Sequence, residues 1–183
     1  MLNTPQKWSA LDVVGFSALI AQLVASLVLL ARVPSLDFSV PVVQASAAGI
    51  LSTLLIVSIR ARGLRGSRAE RLLLALFLGG MPLVYVGSWF RLQQPGWLWI
   101  ELVGTCVFVV LAVLGWRRSA WFLAGGILAH GLLWDLPHHA RQEFVPTWYT
   151  LGCLIVDVGM AIYAAVEVPW FARSTRVPAA ALA

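Results

Sequence analysis

Residues 60–71 read Arg60-Ala61-Arg62-Gly63-Leu64-Arg65-Gly66-Ser67-Arg68-Ala69-Glu70-Arg71, five arginines in one short polar connection. Apolar stretches flank it on both sides, each close to the roughly 20 residues that a helix needs to cross a bilayer. Six such stretches divide the chain, at about 11–30, 40–59, 72–90, 97–114, 120–136 and 147–168. The basic residues sort unevenly into the gaps between them. Lys7, the five arginines of 60–71, Arg117, Arg118, Arg173 and Arg176 fall on one side of an alternating path. Only Arg32, Arg91 and Arg141 fall on the other. That split is a positive-inside signal and places 60–71 and both termini in the cytoplasm.

Composition agrees. The 183 residues are 60% hydrophobic and 11% charged, more apolar surface than a soluble domain of this size can bury. The formal charge of +5 sits in short loops beside apolar runs, where anionic lipid headgroups attract it. It does not form the polar basic face of a nucleic-acid binder, so membrane lipids are the expected partners and nucleic acid is not. Trp89, Trp97, Trp99, Trp134 and Trp148 fall near one set of segment ends, and Trp8, Trp116, Trp121 and Trp170 near the other, as interfacial belts would. The first apolar run is too long for a signal-peptide core, so it is expected to be retained. The expected fold is all-α: a polytopic membrane protein, one domain over 1–183, built as a six-helix transmembrane bundle with both termini cytoplasmic. Arginine and alanine usage point to a bacterial cytoplasmic (inner) membrane.

Within the bundle, Pro82 should kink the third span, because it removes a backbone donor. Pro169 should close the sixth. Gln22, Ser26 and Gln44 read as interhelical hydrogen-bonding groups. Cys106 and Cys153 read as small buried hydrophobes. The 60–71 loop reads as a cytoplasmic connection touching inner-leaflet phosphates. Asp12 and Glu167 lie near inner span ends, but no cluster comparable to the outer one is expected there.

Ionisable residues inside spans are costly, so each needs a reason. The densest stretch is His130-Gly131-Leu132-Leu133-Trp134-Asp135-Leu136-Pro137-His138-His139. At about 1.5 Å rise per residue, Asp157 lies ~15 Å below the outer interface, His130 at a similar depth, and Glu101 only ~6 Å down. A contact between His130 and Asp157 would let each satisfy the other, which makes them the candidate catalytic pair. Glu101, Asp135, His138 and His139 are expected at the pocket mouth. Tyr149, Cys153 and Asp157 recur every four residues and share a helix face, and Tyr85 follows Pro82 by less than a turn, so these also become pocket candidates. Arg91 either pairs with Glu101 or faces water. Asp135 can alternatively cap a short turn that begins at Leu136 and Pro137.

Imidazole and carboxylate suit zinc or iron, so His130, His138 and Asp157 form a candidate metal set; the cofactor itself is unknown. No phosphate loop, His-Glu-x-x-His pair or Gly-x-Ser-x-Gly elbow occurs. Three functions stay open. One is a small membrane enzyme or binding protein for a lipophilic molecule, with a polar His/Asp pocket in the outer half of the bundle. Another is a transporter or channel subunit, for which six spans would call for a homo-oligomer. The third is a structural or assembly subunit of a membrane complex.

Overall fold

The computed structural model describes residues 9–33, 41–92, 96–141 and 147–174. Among them every regular element is a helix and there is no strand. The elements are α1 (Ala10–Ala31), α2 (Pro41–Ala61), α3 (Arg68–Gly80), α4 (Leu83–Leu92), α5 (Leu98–Arg117), α6 (Trp121–Ala129), a π turn (His130–Asp135), α7 (Leu136–Arg141) and α8 (Thr147–Ser174). Five helices are long and apolar enough to cross a membrane, with α3 and the start of α4 counting as one. The sixth apolar run is α6, the π turn and α7 in unbroken succession. Large hydrophobics such as Leu51, Leu76, Val103 and Leu133 are exposed on the outside of the bundle, as lipid contact requires.

Pro82 and Pro169 act differently from one another. Pro82 does interrupt its span: α3 stops at Gly80 and α4 restarts at Leu83. Pro169 does not close the sixth span, because α8 runs through it to Ser174. Prolines are tolerated in membrane helices where packing holds the freed backbone. Here Phe171 is buried, and the Trp170 ring lies 4.2 Å from the Arg65 guanidinium carbon and 4.8 Å from that of Arg173.

Between apolar helices in lipid, association depends on close packing and hydrogen bonds rather than on excluding water. The pairing of α1 with α8 shows the first. A Cβ on Gly159 would lie 2.9 Å from the Ala18 carbonyl oxygen, so the two backbones approach as near as they do only because that side chain is absent. The pairing of α1 with α2 shows the second. Gln22 donates to the Gly49 carbonyl at 2.8 Å and accepts from the Thr53 hydroxyl, with Ser26 also buried beside them. Such bonds contribute about 1 kcal/mol each. Of the cysteines, Cys106 is exposed on α5 rather than buried, Cys153 is half-buried, and the two form no disulfide.

The arginine-rich end carries a polar cluster that was not expected. Ser9 and Asp12 form a reciprocal capping box at the start of α1, and the Ser67 hydroxyl accepts from the Glu70 amide at the start of α3. Both acids therefore sit at the end where the arginines gather. Arg65 donates to Asp12 and, at 2.9 Å, to both oxygens of Glu167; Arg60 reaches Glu167 at 2.7 Å. Glu70 accepts from the Gly66 amide at 2.7 Å and from the Tyr163 hydroxyl. Gly66 takes φ of +73° with the Trp170 backbone against it, a position open to glycine alone. Burial opposes the Arg65 charge, but the bonds and charges of Glu167 and Asp12 outweigh it and raise its pKa. Arg71 is buried and donates to the Gly115 carbonyl at 2.8 Å. Three of the five loop arginines thus face protein partners, while Arg62 and Arg68 are exposed.

Glu167 is fully buried, so removing Arg65 would leave its carboxylate to Arg60 alone and take the partner of Asp12 as well. Arg65→Ala is expected to cost about 3 kcal/mol and to lower the melting temperature of the purified protein clearly. Exposed Arg68→Ala should leave it unchanged. An Arg65→Ala variant that melts like the parent would show that the cluster does not hold α1, α3 and α8 together.

Candidate functional site

Five helical elements converge opposite the arginine-rich end. Alpha-8 supplies Asp157, the π turn supplies His130 and Asp135, α7 supplies His138, and α4 and α5 supply Tyr85 and Glu101. All six are buried. His130 Nδ1 lies 3.0 Å from Asp157 Oδ2, so the two groups placed at equal depth by their sequence positions are in contact. His130 Nδ1 is also 3.5 Å from Asp135 Oδ1. The Tyr85 hydroxyl donates to that same Asp135 oxygen at 2.5 Å.

Asp135 is where the arrangement departs from expectation. It neither caps a turn nor stands at the rim. The helix continues through it: the Leu136 amide bonds back five residues to the Gly131 carbonyl, and α7 extends the rod to Arg141 despite Pro137. Residues five apart point to different sides of an α-helix, but the wider π turn brings them toward one face. His130 and Asp135 are five apart, so the π turn is what puts both on Asp157. Gly131 allows the approach, since a Cβ there would lie 3.0 Å from the Asp157 Cβ.

His138 belongs to a neighbouring pair instead. Its Nε2 is 2.8 Å from Glu101 Oε1, its Nδ1 is 2.8 Å from the Trp134 carbonyl oxygen, and the rings of Tyr85, Trp97 and Trp134 surround it. Both ring nitrogens are engaged, so the expected metal set of His130, His138 and Asp157 does not assemble. The donors that do come together are on His130, Asp135 and Asp157, all within 4.8 Å of one another. A cation-binding role, if present, would use these three. Glu101 is likewise a buried partner of His138 rather than a group at an open mouth. The side chains of residues 91, 139 and 149 lie outside the described residues, and with them the Arg91–Glu101 pair and the places expected for His139 and Tyr149.

Six buried side-chain polar atoms lack a hydrogen-bond partner among the described residues, and four of them fall here: His130 Nε2, Asp135 Oδ2, Trp134 Nε1 and Glu101 Oε2. Buried polar atoms elsewhere in a protein are nearly always bonded. An apolar cavity of about 250 Å³ reaches this cluster and is lined at its polar end by Tyr85, His130, Asp135, Cys153 and Asp157. Tyr85 and Cys153, both singled out by their spacing, are therefore pocket residues. With Asp157 holding Nδ1, the arrangement leaves Nε2 as an acid–base nitrogen oriented by a carboxylate.

No family model, curated protein or solved structure matches the chain.

The two donor sets can be separated by dialysis of the purified protein against zinc. Zinc retained by the protein is expected to survive His138→Ala and to be lost in Asp135→Asn. Loss in His138→Ala with retention in Asp135→Asn would restore the set read from depth alone.

Proposed function

We propose that this is an integral protein of a bacterial cytoplasmic membrane, with both termini in the cytoplasm, that binds a lipophilic small molecule and acts on it by acid–base chemistry at His130. One observation carries the reading: an apolar cavity ends on the buried His130–Asp157 contact, where His130 Nε2 and the adjacent Asp135 Oδ2 have no partner among the described residues. In the proposed mechanism Asp157 is a positioning residue. It accepts the Nδ1 proton, fixes the ring tautomer and stabilises the imidazolium that forms when Nε2 takes a proton from the bound molecule. Tyr85 holds Asp135 beside the ring. The low-dielectric surroundings strengthen each of these interactions.

A channel is less well supported. Between this cluster and the arginine-rich end stand Leu74, Leu78, Leu123, Ile127 and Met160, all buried and apolar. They offer no polar path through the bundle. The positive-inside distribution supports the orientation, with the arginine cluster on the cytoplasmic side.

Two experiments test the proposal. General acid–base groups contribute roughly 10²–10⁴-fold to rate. Untargeted lipid analysis of cells producing the wild type, His130→Gln or Asp157→Asn at matched levels should show one lipophilic species consumed or formed only with the wild type. Identical lipid profiles in all three would remove the enzymatic reading. For orientation, Arg62→Cys in a Cys106→Ser, Cys153→Ser background should react with an impermeant maleimide only after the membrane is opened. Labelling of intact cells at that position would invert the bundle.

A further inference from the structure

The cavity that ends at His130 has a second feature: it opens sideways. Ala48, Leu51 and Leu55 on α2 and Leu76 on α3 line it and are also exposed on the lipid-facing surface, Leu51 at 58% and Leu76 at 64%. Its wall follows α2 from Ala45 to Leu55, ten residues or about 15 Å of helix. An enclosed apolar cavity of about 150 Å³ already takes a benzene ring. The 250 Å³ here is drawn out along the helix axis, a shape for a chain rather than a disc. Small residues keep the trough open. Gly80 lines it, and a Cβ at Gly80 would meet nothing within 4 Å.

The polar end selects the head group. His130 Nε2, with the ring proton held at Nδ1 by Asp157, accepts a hydrogen bond, and Asp135 Oδ2 is a carboxyl oxygen. A head group that satisfies Nε2 must donate to it, and an amine can donate to both atoms at once. No lysine or arginine among the described residues lines the cavity, and the carboxyl groups of Asp135 and Asp157 stand at its polar end, so an anionic head would be buried there without a counter-charge.

We propose that the groove between α2 and α3 admits, laterally from the bilayer, the single hydrocarbon chain of an amphiphile whose head is a hydrogen-bond-donating, non-anionic group, an alcohol or an amine, and that this head ends at His130 and Asp135. The proposal deepens the reading of His130 as the chemical centre and rests on it for the role of the head group. The chain lies along the apolar wall, and the head meets the polar atoms that lack protein partners. Entry from the membrane requires no opening to water.

The test uses the full chain in phosphatidylcholine nanodiscs and a diazirine-bearing hexadecanol probe. Photolabelling is expected on α2 and α3 at residues 48–55 and 73–80. Hexadecan-1-ol and hexadecan-1-amine should compete at concentrations about tenfold lower than hexadecanoic acid. Gly80→Leu, which fills open space, should cut labelling about tenfold, while Gly80→Ala should keep most of it and show that the position tolerates change. Asp135→Asn, which puts an amide in place of one carboxyl, should narrow the advantage of the alcohol and the amine over the acid. Equal competition by the acid in the wild type would overturn the head-group assignment and leave a groove that merely collects chains. Labelling unaffected by Gly80→Leu, or absent from α2 and α3, would overturn the groove itself. Either failure is independent of the lipid comparison with His130→Gln. If labelling follows expectation while that variant leaves cellular lipids unchanged, the ligand stands and the chemistry falls.

Discussion

Hydrocarbon offers a polar group no hydrogen bond, so every such group in a span must be satisfied from within the protein or left costly. The fold is organised by that constraint. At one end, Arg65 and Arg60 meet the acids that begin α1 and punctuate α8. At mid-depth, Gln22 ties α1 to α2 through a carbonyl and a hydroxyl. Toward the other end, His138 closes on Glu101 and His130 on Asp157. Between these levels the bundle is apolar and close-packed, with Leu74, Leu78, Tyr163 and Ala164 fully buried. Polar contacts thus fix which helices neighbour one another, and small residues fix how near they come.

The same constraint makes its exceptions informative. A protein that pairs Asp12, Glu70 and Glu167 in full at one end leaves His130, Asp135, Trp134 and Glu101 each with an unbonded atom at the other. Stability alone would favour apolar replacements for such groups. Their concentration where a cavity ends is what turns a structural description into a functional one. The arginine cluster, by contrast, is largely self-satisfied, which fits a staple better than a binding site.

Much of the bundle was legible in the chain. Apolar runs of spanning length located the helices, and the fixed rise per residue was enough to set His130 level with Asp157. Rotation about each helix axis was not legible, and most departures follow from it. Asp135 was read as a rim or capping residue from its depth and from Leu136 and Pro137 beside it; an α-helix would turn it away from His130, and only the π turn unites them. His138 was grouped with the metal candidates by proximity in sequence, yet its ring faces Glu101. Pro137 and Pro169 were weighed as boundaries by a rule drawn from water, where a broken backbone bond is readily solvated. The inward turn of Arg65 had a signal: the Ser9-to-Asp12 spacing places an acid at a helix start on the arginine side.

The π turn at 130–135 has a consequence for how this architecture can change. Such a turn holds more residues than an α turn while leaving the rod intact on either side. One residue rotates the downstream part of a helix by about 100°. Loss of a single codon within the π turn would instead tighten it to an α turn, leaving the imidazole and the carboxyl four residues apart on one face and the rod downstream in register. This one turn can thus absorb the smallest in-frame genetic step, which elsewhere in the rod would misalign everything beyond it.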